Sequence, residues 1–203
     1  MLIARILSPV HSLGPGDRVC LWTQGCKKRC KGCISPELQP YGGNEVDENV
    51  LAKILIQVAR KNNCTGITIS GGDPLEQPHA LLKLLALLRN EFDDILVYTG
   101  FELKDIQDGL IGIEAKKCLD YLDVLIDGKY IDELNYKDCV LRGSSNQNIH
   151  FINNELAPIY AEYMKQNPLP LNRVIIVIVI IIVIYSRRES NLWSLTLLVG
   201  MSV

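Results

Sequence analysis

Short β-branched runs alternate with stretches of helical hydrophobic spacing through most of the chain, and glycine or proline stands at many of the junctions. Residues 2–7 form an apolar, strand-capable run that ends in the turn-rich segment HSLGPGDR at 11–18, and residues 19–23 form the next run. Val46, Val50, Leu51, Ile54, Leu55 and Val58 recur at helical spacing, with Asp47 placed to cap the start and Lys61, Asn62 and Asn63 to close it. TGITIS at 65–70 has the β-branched content of a strand buried in a parallel sheet. The helix expected over about 76–90 carries leucine at 81, 82, 84, 85, 87 and 88, nearly all round, which predicts burial on more than one side. Strands are expected again at 95–98 and 124–126, separated by helical stretches around 102–108 and 114–121. Two last short strands are expected at 139–141 and 149–152.

Strand, glycine-bearing loop, helix and strand in repetition argue for crossover units and a parallel sheet. A complete eight-stranded barrel takes about 250 residues, and this chain has 203. The expected fold is α/β, an incomplete TIM-type barrel of about six βα units with an apolar C-terminal appendage. Residues 1–153 read as one domain and 154–203 as an extension of unknown role. Within that extension VIIVIVIIIVIY, residues 174–185, is unbroken and apolar. As a helix it would rise about 18 Å, short of the roughly 30 Å of a bilayer core. It reads as a buried or poorly ordered appendage, with no membrane contact expected; a shifted reading frame would also produce such a tail.

Candidate chemistry concentrates at residues 24–33, QGCKKRCKGC, which leave directly from the end of an expected strand. Gly25 and Gly32 let the backbone bend sharply enough to bring Cys26, Cys30 and Cys33 together. A cubane iron-sulfur cluster is normally held by four cysteines, so three suggest a cluster with one iron left open. Zinc with a free fourth position is the rival, and redox or inert thiols the third reading. Lys27, Lys28, Arg29 and Lys31 would lower the thiol pKa values, offset a cluster's negative charge and steer an acidic electron-donor protein, unless they are only a solvated loop. Seven cysteines in a chain with no signal-peptide pattern argue against a disulfide framework, and a cytoplasmic location is expected. Cys20, Cys64, Cys118 and Cys139 read as packed thiols. The net charge of -2 gives no attraction to nucleic acid.

Gly71 and Gly72 remove side chains where a ligand could lie against the backbone, and Asp73 could add a charged contact to an ammonium group. The plainer reading is a strand-to-helix turn with Pro74 opening the helix. Arg142, Gly143, Ser144, Ser145, Asn146 and Gln147 suit recognition of a polar ligand or a peptide backbone, and are equally what loops contain. His11, His79 and His150 are isolated and read as packing or surface residues.

With GPGDR at 14–18, SPEL at 35–38, GGDP at 71–74, YTGF at 98–101, DVLIDG at 123–128 and RGSSNQ at 142–147, the cysteine motif makes the chain resemble the radical SAM superfamily. More narrowly it is similar to the activating proteins of the anaerobic, class III ribonucleotide reductases, over about residues 2–153. The resemblance implies a [4Fe-4S] cluster on Cys26, Cys30 and Cys33, with S-adenosylmethionine on the fourth iron. Gly71, Gly72 and Asp73 would hold its methionine ammonium, and Tyr98, Thr99 and Gly100 would line the nucleoside or methionine side. Reductive cleavage would then give a 5′-deoxyadenosyl radical that takes hydrogen from a glycine Cα of the reductase large subunit. The implied electron donor is of flavodoxin or ferredoxin type, docking at Lys27, Lys28, Arg29 and Lys31, and residues 142–147 are the candidate surface for the glycyl-radical loop. Other enzymes with this core, namely an activase of another glycyl-radical enzyme or a small radical SAM modifying enzyme, are the alternatives, as is a zinc-binding or electron-transfer module. The superfamily often has Glu where Asp73 stands, and the resemblance stops near Asn153.

Overall fold

The computed structural model describes residues 1–136 and 139–166, and two isolated residue pairs beyond them. β1 (Leu2–Val10) runs antiparallel to β2 (Arg18–Thr23), with Ile6 opposite Leu21, because the segment between them reverses the chain. β3 (Asn44–Glu45) adds to the other side of β1. α1 (Glu48–Asn62) starts where the Asp47 carboxylate accepts the Asn49 and Val50 backbone N–H groups, and stops where Asn63 turns left-handed. It buries Leu51, Ala52, Leu55 and Ala59. β4 (Gly66–Gly71), β5 (Asp94–Tyr98) and β6 (Val124–Asp127) then pair in parallel with β2 and with one another. α2 (Pro78–Leu88) links β4 to β5, and α3 (Leu103–Gln107) with α4 (Ile113–Cys118) links β5 to β6. β7 (Asn148–Phe151) returns antiparallel to β6.

The sheet order is β3-β1-β2-β4-β5-β6-β7. The fold is therefore α/β, with parallel strands in the middle and antiparallel strands outside. β3 and β7 are its edges, so among the described residues the sheet is open. Successive side chains on each strand face opposite ways. Ile67, Ile69, Ile95, Val97 and Leu125 enter the larger core with the helices, while Leu96, Val124 and Ile126 enter a smaller cluster on the other face.

Two local expectations are corrected. Residues 139–141 are a turn: Leu141 has φ 65°, which no strand ladder accommodates. In α2 burial falls on Leu81, Leu84, Leu85 and Leu88, one stripe at helical spacing, and Leu87 faces solvent.

Nor does the folded unit end at Asn153. α5 (Ala157–Gln166) lays Tyr160, fully buried, against the smaller cluster, in edge contact with Phe151 at 5.5 Å. The Tyr160 hydroxyl lies within hydrogen-bond distance of both Asp94 carboxylate oxygens, 3.0 and 2.9 Å. Asp94 in turn pairs with the fully buried Arg18, Nη1 to Oδ2 at 2.6 Å. The guanidinium also donates to Thr68 Oγ1 and to the carbonyls of Pro15, Ile67 and Asp94, so every nitrogen has an acceptor. Such saturation is what a charge removed from water requires.

Beyond α5 the structure describes only β8 (Ile180–Ile181), antiparallel to β9 (Leu198–Val199). The rest of the apolar run 174–185 lies outside the described residues. Among those described, no helix is long and apolar enough to cross a membrane.

Asp94→Ala, which leaves the Arg18 charge buried alone, is expected to cost about 3–5 kcal/mol, and Tyr160→Phe about 1 kcal/mol, in urea unfolding. A chain ending at Asn153 should unfold at lower urea than one ending at Gln166.

Candidate functional site

The parallel strands deliver their carboxyl ends to one edge of the sheet, and the loops flagged from the sequence leave from there. Thr23, the last residue of β2, pairs with Gly71, the last of β4. Beyond that pair the Gly72 N–H donates to the Thr23 carbonyl at 2.9 Å and the Asp73 N–H to the Gly25 carbonyl at 3.0 Å. No Cβ fits at either glycine. At Gly71, whose φ is +117°, it would strike the Thr23 backbone, and at Gly72 the carbonyl of Gly25. The space that the glycine pair leaves open is thus filled at its inner side by the root of the cysteine loop itself. On the loop's other flank Gly25 and Cys26 donate their N–H groups to the carbonyls of Leu38 and Gln39, at 2.8 and 2.9 Å.

Cys26 is buried and Cys30 and Cys33 are half-buried, all three as free thiols. Burial pushes the Cys26 thiol up, opposed by a hydrogen bond from the Lys28 backbone N–H. Bonds of that kind stabilise a thiolate ligand. Among the described residues no three Cys, His, Asp or Glu side chains are gathered to hold a single metal ion. A cubane asks for something different, one thiolate at each of several irons, and three thiols on one glycine-bent loop with cations beside them fit that donor set. Cys20, Cys64 and Cys118 are buried and Cys139 half-buried; burial pushes Cys20 and Cys118 up to about 12, as expected of packed thiols. Each histidine sits beside its own carboxylate: His11 by Asp17, His79 by Glu114, His150 by Asp127.

The cations of the loop are differently engaged. Lys27 pairs with Glu76 at 3.3 Å and Lys31 with Glu133 at 3.1 Å. Lys28 folds inward, its ammonium 2.9 Å from the centre of the Phe101 ring and its stem against Gly100. Arg29 is exposed.

Asp73 is only 1% exposed, and its oxygens are committed. Oδ1 accepts from Leu75 N–H and from Thr99 Oγ1, at 3.0 and 2.9 Å, and Oδ2 accepts from Gly100 N–H at 2.9 Å. It therefore caps the turn Pro74–Glu76 and ties the end of β4 to the loop after β5. Burial pushes its pKa up to about 6, with the Gly100 N–H and the Thr99 hydroxyl pulling the other way. Gly71, Gly72, Asp73, Thr99 and Gly100 are thus brought together. Tyr98 turns its hydroxyl elsewhere, to the Leu141 carbonyl at 2.9 Å, and packs against the smaller cluster.

Residues 142–147 close over the exit of β6. Gln147 is buried, its Oε1 accepting the Gly143 and Ser144 N–H groups and its Nε2 donating to the Gly128 carbonyl. Ser144 is fully buried and accepts the Ile131 N–H; Asn146 donates to the Lys129 carbonyl. Gly143 and Ser145 remain exposed. Sequence reasoning missed Glu76, Tyr41 and Asp132, which flank the cysteine loop. The Asp132 carboxylate lies where a Cβ on Gly32 would stand. Glu76, three residues past Asp73, reads in the sequence as an ordinary first-turn acid.

The sequence family described as a 4Fe-4S single cluster domain matches residues 12–150. The anaerobic ribonucleoside-triphosphate reductase-activating protein of Haemophilus influenzae is 34% identical over 143 residues, 68% of this chain and 89% of that protein. Its namesake from Escherichia coli is 32% identical over 149 residues, 68% and 91% of the two chains. That of enterobacteria phage T4 is 32% identical over 140 residues, 67% and 85%. The chain belongs to this family of activating proteins. The match to a 4Fe-4S domain in an activating protein displaces the zinc reading of the cysteine loop.

Sequence alone predicts that Gly72→Val blocks the cofactor edge and spares the cluster. Because the new side chain would strike the Gly25 carbonyl, the variant is expected to lose iron on anaerobic reconstitution as well, read as iron per chain. A second expectation concerns pH. Between the ordinary aspartate value of 3.8 and about 6 the folded chain retains a proton on Asp73 that the unfolded chain has released. This group's contribution to stability therefore falls as pH rises through that window. Asp73→Asn should remove that slope from thermal melts of the cluster-free protein.

Proposed function

We propose that this chain activates an anaerobic ribonucleoside-triphosphate reductase, with Cys26, Cys30 and Cys33 as the three protein ligands of its [4Fe-4S] cluster. The observation that carries the reading is the backbone tie between the cysteine loop and the Gly71–Gly72 edge, made by the Asp73 N–H on the Gly25 carbonyl at 3.0 Å. With the cluster on those three cysteines, an iron left without a protein ligand would face the backbone edge at Gly71–Gly72, which could receive the amino acid end of S-adenosylmethionine. When bound, the cluster supplies the electron for cleaving the sulfonium C–S bond, and so a carbon radical able to take hydrogen from a glycine Cα. The residues of this chain bind and orient. Gly71 and Gly72 offer backbone carbonyls, Asp73 fixes Thr99 and Gly100, and Lys28 covers Gly100 and Phe101 against water. No proton transfer is needed, in keeping with histidines that stand apart beside their own carboxylates.

The open sheet reads as an incomplete barrel whose substrate enters at the carboxyl ends of its strands. The partner is a glycine-bearing loop of the reductase large subunit, since glycine has no Cβ to keep its Cα from the reacting carbon. Because Ser144 and Gln147 are committed internally, contact falls to Arg142, Gly143, Ser145 and Asn146. A flavodoxin- or ferredoxin-like donor would meet Arg29 together with the exposed ammonium groups of Lys27 and Lys31; the Lys31–Glu133 pair, exposed on both sides and worth about 0–1 kcal/mol, yields readily to a competing acidic surface.

Mixing the reduced, reconstituted protein with S-adenosylmethionine and the anaerobic reductase is expected to give a glycyl-radical doublet in paramagnetic resonance. Asn146→Ala should lower radical yield more than uncoupled cofactor cleavage. Cleavage without a doublet on the reductase, and a doublet on another glycyl-radical enzyme, would refute the partner and keep the chemistry.

A further inference from the structure

Glu76 comes from the turn after β4, yet its carboxylate belongs to the cysteine loop. The side chain is 6% exposed, unusual for a glutamate. Its Oε1 accepts the Lys27 backbone N–H at 3.3 Å, and Oε2 accepts the Tyr41 hydroxyl at 2.9 Å while facing the Lys27 ammonium at 3.3 Å. The Tyr41 ring packs against Gly25, 2.7 Å from where a Cβ would stand, and the Lys27 ammonium lies 5.8 Å from the ring centre. Burial, followed by Glu76, pushes the Tyr41 phenol up to about 12, so it stays a donor. The carboxylate therefore holds Lys27 directly and Gly25 through the Tyr41 ring, on either side of Cys26, and its charge is one of those that oppose ionisation of the Cys26 thiol.

We infer that Glu76 is a positioning residue of the cysteine loop, and that its charge, set against that of Lys27, tunes the reduction potential of the cluster. The inference rests on the reading above that Cys26 is a cluster ligand. One-electron reduction adds a negative charge to the cluster. A carboxylate beside the first ligand opposes that charge and an ammonium favours it. The carboxylate acts the more strongly for being nearly out of water, whereas the exposed ammonium is screened, and local charge is one of the levers on such potentials.

Two variants move the balance in opposite directions. Glu76→Gln keeps one acceptor, its Oε1, for the Lys27 N–H, turns an Nε2 donor to the Tyr41 hydroxyl oxygen, removes the negative charge and frees the ammonium. Lys27→Met leaves the carboxylate uncompensated. The full-length protein is reconstituted anaerobically with iron and sulfide, and the cluster is titrated with dithionite under paramagnetic resonance, without S-adenosylmethionine. The Gln variant is expected to reduce more easily and the Met variant less easily. The Gln variant should shift by about tenfold in the equilibrium, which is about 59 mV for a one-electron couple, and the Met variant by a smaller, measurable amount because Lys27 is exposed. Iron content should fall in Glu76→Ala and be restored in Glu76→Gln. Midpoints that stay at the wild-type value, or that move the same way in both variants, overturn the inference. If Glu76→Gln holds no cluster, an unshifted midpoint in Lys27→Met overturns it alone. A wild-type chain that takes up no iron refutes instead the ligand assignment on which the inference stands.

Discussion

A single methyl group on Gly72 would not fit against the carbonyl of Gly25, and that closeness governs the functional end of the molecule. It packs the root of the cysteine loop directly against the end of β4. The hydrogen bond from Asp73 N–H to the same carbonyl fixes the two in register. The Asp73 side chain then extends the tie to Thr99 and Gly100 beyond β5, and the Gly128 N–H on the Phe101 carbonyl extends it to β6. Four loops from four strands, β2, β4, β5 and β6, are joined by short bonds. A site of this kind is positioned by backbone and by one buried carboxylate, which suits chemistry that demands placement more than acids and bases.

The other end of the same strands is built on an opposite principle. There Arg18 and Asp94 bury a charge pair, and Thr68, Tyr160 and backbone carbonyls absorb what remains of their bonding capacity. Such an arrangement adds little net stability over an apolar one, yet removal of either charge is costly. It specifies which segments meet: the turn before β2, the strands β4 and β5, and α5. Rigidity at that end lets the carboxyl ends of the strands carry glycines and left-handed residues without loss of the sheet's alignment.

Elements whose determinants are local were legible. Asp47 and Asn63 bound α1, and the β-branched run of β4 marks a strand with no help from its neighbours. The cysteine loop and glycine edge were legible as chemistry because their residue types are rare at such spacing. What was hidden depends on partners distant in sequence. Arg18 and Asp94 are 76 positions apart, and a charged residue carries no local sign that it will be buried. α5 shows one buried side chain among those described, Tyr160, so it offers no apolar stripe to read. Asp73 has the right residue type for a ligand, but only the fold reveals that its oxygens are turned inward. Direction is equally silent: nothing in the four residues of β7 signals that it runs antiparallel to β6.

The Tyr160 hydroxyl on Asp94 also has a consequence for the order in which the protein is made. Arg18 and Asp94 leave the ribosome long before Tyr160 does, and until that residue arrives the carboxylate has Arg18 but not its hydroxyl donor, and the smaller face of the sheet lacks its cover. The sheet can assemble during synthesis from the strands already made, but its smaller face is sealed only when α5 arrives. Completion of translation through α5 is therefore a checkpoint on the chain's maturation, and the cysteine loop hangs from a scaffold that is finished late.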